Sequence, residues 1–247
     1  MPDDLPRDHP PVADPAAGAQ AAAPLGGNSP RCGAEHGLRA GAGAGGDDSR
    51  DTRPDRATRF VETTLGILSY TQLAPLLAER VTRLEADLLA QAFASRPLDE
   101  TLLTEFHARL CGDLTPEWAG KWRAVEVAVG PLTPPAPHQV PRLMRDYVLD
   151  LQARWADASG SDIDRTLEFL AFAEGRFLSI HPFRDFNGRT IRLFLTELLR
   201  RLDFPRVELA PASEAGRAGY FAALEAADRG DWQPLTAAWK SRFGSEP

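Results

Sequence analysis

The chain has 247 residues, 43% of them hydrophobic, and its 35 acidic against 28 basic side chains give a formal charge of −7. That length and apolar content suffice for one sizeable domain plus a tail, and the acidic balance argues against a nucleic-acid partner. No apolar run approaches the ~18 residues of a membrane span, and the N-terminus opens MPDDLPRDHP with no apolar leader core. The two distant cysteines, Cys32 and Cys111, indicate neither a disulfide framework nor a zinc site. The expectation is a soluble, cytoplasmic protein with no membrane partner. Lysine occurs only at positions 121 and 240, so the abundant arginine reads as a coding bias and not as a binding patch.

Residues 1–56 are rich in Pro, Gly, Ala and Asp. Such a segment cannot bury enough apolar area to offset the entropy of ordering it, so a disordered low-complexity tail is expected. A plain solvated tail and a delivery signal are both open readings. From Ala57 to about Ala94, Phe60, Leu65, Leu68, Leu73, Leu76, Leu77, Val81, Leu84, Leu88 and Leu89 keep a helical period. Two helices are predicted there, with a break near 69–72, so that 57–97 forms an N-terminal helical segment.

The next helix, Leu98 to Leu110, carries Asp99 and Glu100 in its first turn, where acidic side chains favour the helix dipole, and His107 reads as a packing residue. In TPEWAGKWR, Thr115 to Arg123, Trp118 and Trp122 are candidate anchors of the core or a cleft wall. Val125, Val127 and Val129 then alternate with Glu126 and Ala128, which predicts a strand, and Gly130-Pro131 supplies a turn. Two helices follow, roughly Val140 to Ala156 and Asp162 to Ser179, separated by ADASGSD. The second delivers His181 at its end. Asp203-Phe204-Pro205 reads as a stop, and Glu214 to Ala227 and Pro234 to Phe243 read as final helices, with Trp232 and Trp239 closing the core. The fold class read from these elements is mainly α.

The stretch HPFRDFNGRTIR, His181 to Arg192, concentrates chemistry. Ile191, Phe194, Leu195, Leu198 and Leu202 continue after it at helical spacing, so the polar cluster lies on a loop opening a helix. A helix N-terminus offers unpaired N–H groups and a positive dipole end, which together favour an anion. Arg189 and Arg192, three residues apart, can grip a polyphosphate through charge-assisted hydrogen bonds. Asp185 is a hard oxygen ligand suited to Mg²⁺ shared with those phosphates, and His181, with an ordinary pKa near 6.5, is the candidate general base. Each feature alone has a structural reading: a packed histidine, a helix cap at Asp185, or arginines pairing with Glu197 or Asp185. Their joint occurrence in one loop favours a base, a metal ligand and a phosphate cradle.

This segment resembles the Fic family signature, His-x-Phe-x-Asp/Glu-Gly-Asn-Gly-Arg-x-x-Arg, with His181, Phe183, Asp185, Asn187, Gly188, Arg189 and Arg192 at seven of its eight fixed positions. The family's first glycine is Phe186 here. The WAGKWR stretch also resembles the family's Trp-Ala-Gly-x-x-Arg element. The resemblance covers about residues 98–243 and implies a Fic-type helical bundle with a short β-hairpin flap. It implies a protein adenylyltransferase that moves AMP from ATP to a Ser, Thr or Tyr hydroxyl of a target protein. In that reading His181 is the base and Asp185 holds Mg²⁺. Phe186, Asn187 and Gly188 line the anion site, Arg189 and Arg192 hold the outer phosphates, and Phe183 pegs the loop into the core. Val125, Glu126, Val127, Ala128 and Val129 form the flap to which a target segment adds as a strand. A Pro-rich connector without a docking role is the alternative for that stretch.

Phe186 leaves two readings open: an ordinary φ with the ring turned away, or phosphates seated differently, with another nucleotide, phosphate or phosphocholine donor. A degenerate domain that binds nucleotide or a partner without turnover is the non-enzymatic alternative. The family's inhibitory Ser/Thr-x-x-x-Glu-Gly/Asn motif is not found in the sequence, so a separate inhibitory, antitoxin-like protein is a candidate partner.

Overall fold

The computed structural model describes residues 60–244 apart from Pro131, Gly160, Ser161 and Ala212. The expected tail over 1–56 lies outside the described residues. The first element is not a helix. Phe60–Thr63 (β1) and Gly66–Ser69 (β2) pair antiparallel, with Val61 opposite Leu68 and Glu62 opposite Ile67. The hydroxyl of Thr63 donates to Gly66 O at 2.7 Å, and Gly66 takes a φ of 100°, which an L side chain would resist. The turn is anchored from outside its own sequence: Thr64 donates its N–H to Leu114 O and its hydroxyl to Asp113 O, both at 2.8 Å. Those tertiary bonds override the helical spacing of Phe60, Leu65 and Leu68, which here is a coincidence of period.

Helix α1, Tyr70–Leu89, starts where the sequence suggested a break. Ser69 and Gln72 form a reciprocal cap, in which Ser69 Oγ accepts from the Gln72 N–H and Gln72 Oε1 accepts from the Ser69 N–H at 2.9 Å. Its buried stripe is Leu73, Leu77, Leu84 and Leu88. Helix α2, Glu100–Cys111, is capped by Asp99, whose carboxylate accepts from the N–H groups of Thr101 and Leu102.

The stretch after α2 also departs from expectation. Val125 to Val129 do not form a strand; one antiparallel bridge joins Val129 to Leu132, with N···O distances of 3.3 and 2.9 Å. The side-chain alternation is present, but among the described residues no second strand runs alongside to satisfy the remaining backbone groups. The two-stranded hairpin of the described residues is β1–β2 instead.

Helices α3, Val140–Ala158, and α4, Ile163–Ile180, pack as neighbours, with Asp162 capping α4. Helix α4 is central: Leu167, Phe169, Leu170, Ala171, Phe172, Ala173 and Phe177 bury nearly its whole circumference. Gly175 lets it approach the last two helices closely, because a Cβ there would meet Trp232 at 2.8 Å, Leu235 at 2.9 Å and Ala227 at 3.3 Å. Helix α5, Asn187–Arg201, crosses α1, α2 and α4 and is buried along Ile191, Phe194, Leu195 and Leu198. Helices α6, Glu214–Asp228, and α7, Gln233–Gly244, close the far side, with Trp239 fully buried and Trp232 partly so. The fold is mainly α, as the sequence indicated. No helix among the described residues is long and apolar enough to cross a membrane.

Candidate active site

The loop between α4 and α5 is fixed at both ends by residues with left-handed backbones. His181 ends α4 at φ 51°, its N–H reaching back to Phe177 O at 2.9 Å, and Phe186 precedes α5 at φ 58°. Non-glycine residues hold such conformations only when the surroundings impose them. Here the surroundings are three clamps.

The first clamp is Arg123. Its Nε donates to His181 O at 2.8 Å, its Nη2 to Ile180 O at 3.4 Å and to Pro135 O at 2.5 Å, and its backbone N–H to Pro182 O at 2.8 Å. A helix C-terminus leaves carbonyls without intrahelical donors. One buried guanidinium thus caps α4 and ties the residues after the WAGKWR stretch to the loop. Burial lowers its pKa, and Glu126 raises it in part.

The second clamp is Asn187. Its Oδ1 accepts from the Phe183 N–H and its Nδ2 donates to Phe183 O, both at 2.9 Å. Phe183 itself is fully buried, stacked on His107 at 3.8 Å between ring centroids and against Trp122 at 4.9 Å. The Asn187 side chain holds the loop closed, which leaves the first amides of α5 as helix-terminal donors at this end.

The third clamp is His107 on α2. Its Nδ1 accepts from the Gly120 N–H at 2.8 Å, so the ring proton sits on Nε2, which donates to Asp185 O at 3.1 Å. Burial pushes the His107 pKa down to about 4, against a smaller upward pull from Asp185. The ring is therefore neutral, as this bonding requires. Gly120 permits the contact: at φ 68° a Cβ would lie 2.9 Å from Ala108 Cβ and 3.0 Å from Thr104 O.

Between the clamps the expected site residues converge. His181 and Asp185 are buried, at 9% and 5% exposure. The Asp185 carboxylate accepts from the Phe186 N–H at 2.8 Å through Oδ1 and from the Tyr70 hydroxyl through Oδ2. Phe186 keeps a positive φ, so an ordinary backbone there is ruled out. Its ring is buried against Trp118, at 5.7 Å with 30° between the ring planes, and against Tyr70 at 6.3 Å.

Gly188, Arg189 and Arg192 occupy the first turns of α5. Glu197 is taken by Arg200 and Arg201, at 2.7 and 2.6 Å, so it does not pair with the two motif arginines. Among the described residues neither the Arg189 nor the Arg192 guanidinium makes a hydrogen bond or ion pair. Arg192 retains some solvent contact, yet burial holds its pKa below the usual arginine value, and Arg189 adds like-charge repulsion to that lowering. Two cations crowded at a helix N-terminus with no carboxylate bonded to them make the electrostatics there favourable to an anion.

Residues 97–199 match the family model described as Fic/DOC family. These residues are thus a Fic/DOC-type domain within the chain. The chain is 35% identical over 152 residues to the protein adenylyltransferase fic-1 of Caenorhabditis briggsae, an alignment covering 62% of this chain and 28% of that protein. It is 32% identical over 147 residues to the protein adenylyltransferase Fic of Nematostella vectensis, covering 60% and 32%. The chain thus spans about a third or less of the length of these curated relatives. Among solved structures, BepC of Bartonella tribocorum with bound AMPPNP superimposes with a TM-score of 0.57 at 19% identity, covering 76% of this chain and 94% of that one. Fic-1 of Caenorhabditis elegans superimposes with a TM-score of 0.50 at 28% identity, covering 66% and 46%.

Arg123 and Tyr70 were not among the site residues expected from sequence. Arg123 belongs to the WAGKWR stretch and carried a signal as part of that pattern. Tyr70 carried none: it stands 115 residues from Asp185, in the segment before the matched domain.

Proposed function

We propose that this chain transfers AMP from ATP to the hydroxyl of a Ser, Thr or Tyr side chain on a target protein, its own hydroxyls included. The observation that carries the reading is the pair Arg189 and Arg192, which cap the N-terminus of α5 without a bonded carboxylate while His181 and Asp185 sit on the same clamped loop. Relatives named protein adenylyltransferase support the choice of group.

His181 accepts the proton of the target hydroxyl. The hydroxyl oxygen bonds to the α-phosphorus, the bond from that phosphorus to the oxygen bridging to the β-phosphate breaks, and pyrophosphate leaves with its electron pair. The backbone amides of Asn187 and Gly188 bind phosphate oxygens, Arg189 and Arg192 hold the outer phosphates, and Phe186 walls the site. The chain's part is positioning and charge neutralisation, which dominate phosphoryl-type transfer.

Asp185 is the residue that would hold Mg²⁺. Among the described residues no group of three or more His, Cys, Asp or Glu clusters to cage a metal, and a single carboxylate beside a phosphate site is the donor set Mg²⁺ uses when substrate phosphates complete its shell. The ion supplies charge neutralisation on the transferring phosphates. Val125 to Val129 serve as the target-docking edge, supported by the exposure of Val125 and by the lack of a partner strand there among the described residues. Residues 98–243 are the catalytic domain, and a separate inhibitory protein that offers a glutamate to Arg192 is a further partner of this reading.

Phe186 favours one second reading, a donor other than ATP, because it stands where the family signature has glycine. ATP labelled on the α- or the γ-phosphate, incubated with the protein, Mg²⁺ and a cell extract, tests both. Protein label from the α-position alone supports AMP transfer; label from the γ-position means phosphate transfer, and none from either points to another donor.

A further inference from the structure

We propose that Tyr70, the first residue of α1, is a positioning residue for Asp185 and sets the metal affinity of the site. The proposal rests on the reading of Asp185 as the metal ligand. It brings into the site a segment outside the matched 97–199 stretch.

Three observations support it. The Tyr70 hydroxyl donates to Asp185 Oδ2 while the Phe186 N–H donates to Oδ1 at 2.8 Å, so each carboxylate oxygen has its own donor and the group's orientation is fixed. A carboxylate oxygen has two lone pairs, so accepting one hydrogen bond does not by itself bar it from ligating a metal. Tyr70 is in turn held in place: the Ser69–Gln72 cap starts α1 at this residue, and its ring lies 6.3 Å from Phe186, which is stacked on Trp118. With the main chain of Asp185 pinned by His107, both ends of the residue are anchored by side chains from α1 and α2.

Hydrogen bonds to a ligating carboxylate orient it before the metal arrives, and losing one costs roughly 10–100-fold in metal affinity. Tyr70→Phe removes the hydroxyl and keeps the ring on Phe186, which makes it the informative variant. Mn²⁺, a paramagnetic substitute for Mg²⁺, is titrated by electron paramagnetic resonance into wild type and variant saturated with a non-hydrolysable ATP analogue.

The expected result is Mn²⁺ binding weakened in Tyr70→Phe by roughly 10–100-fold, with analogue binding in EDTA unchanged and the melting temperature close to wild type. In an Asp185→Asn background Tyr70→Phe has no further effect on Mn²⁺, which a general packing role would not produce. Equal Mn²⁺ affinity in wild type and Tyr70→Phe overturns the proposal, as does tighter binding in the variant, which would make Tyr70 a competitor of the metal. Wild type that binds the analogue but no Mn²⁺ overturns the metal reading of Asp185 first and the proposal with it.

Discussion

Replacing Phe186 by alanine and by glycine separates two opposing contributions at the position where residue and backbone conflict. The ring is 4% exposed and packed between Trp118 and Tyr70. Removing a buried phenylalanine ring down to Cβ costs about 3–5 kcal/mol, so Phe186→Ala should lower the melting temperature by roughly 6–20 °C for a domain of this size. Alanine still carries a Cβ at φ 58°. Glycine relieves that conflict by about 1–2 kcal/mol and gives back about 0.4–1 kcal/mol through its freer unfolded chain. Phe186→Gly should therefore be the more stable variant, by up to about 1.6 kcal/mol on those figures, although both fall below wild type. At ordinary positions the order is reversed, with alanine ahead of glycine by roughly 0.5–1 kcal/mol. Urea unfolding of the three proteins measures it. Alanine ahead of glycine by the ordinary ~0.5–1 kcal/mol would refute the left-handed backbone, and losses under about 1 kcal/mol in both would refute the buried ring.

Three further outcomes follow from the site. His181→Asn keeps a residue that tolerates the left-handed backbone, so it should abolish transfer while unfolding within about 1 kcal/mol of wild type; a retained rate would remove His181 as the base. Arg192→Met removes a cation that burial and Arg189 disfavour. Its unfolding midpoint without nucleotide should therefore hold or rise while ATP affinity falls at least ~10-fold, as for a lost charged hydrogen bond; a lower midpoint with unchanged affinity would contradict the phosphate role. His107 has a folded pKa of about 4 against an unfolded value near 6.5, so the unfolded chain takes up the proton first. Its contribution is complete above about pH 6.5 and is lost as pH falls towards 4, on the order of 3 kcal/mol in total. Urea midpoints between pH 7.5 and 4.5 should accordingly fall more steeply in wild type than in His107→Gln, and equal slopes would mean that His107 is not buried as the neutral ring.

The helices from α2 onward and the site loop were legible because each rests on local chemistry. Asp99 and Asp162 announce two helix starts, the apolar spacing after Gly188 announces α5, and the loop's polar residues lie within twelve positions. The β1–β2 hairpin was not legible, because Phe60, Leu65 and Leu68 fit a helical period by accident and the bonds that decide the matter come from Asp113 and Leu114. The strand expected at 125–129 was over-read for the converse reason: alternation shows that a segment could pair but does not supply the partner. At the site, the identities of His181, Asp185, Arg189 and Arg192 were readable, but their supports were not. Tyr70, His107 and Arg123 act through contacts 115, 78 and 58 residues away in sequence, and no local pattern encodes such pairings. Phe186 was visible as a departure from the signature, but only the fold shows that Trp118 and Tyr70 hold it at a glycine-like φ.

Intact-mass spectrometry of the purified protein, wild type and His181→Asn, after incubation with Mg²⁺ and ATP, GTP, CTP or UTP, bears most directly on the proposed chemistry. The expected result is a gain of one adenosine monophosphate residue on wild type with ATP and no gain on His181→Asn. Equal gains on both proteins, a gain of phosphate alone, or no gain with any of the four nucleotides would contradict it.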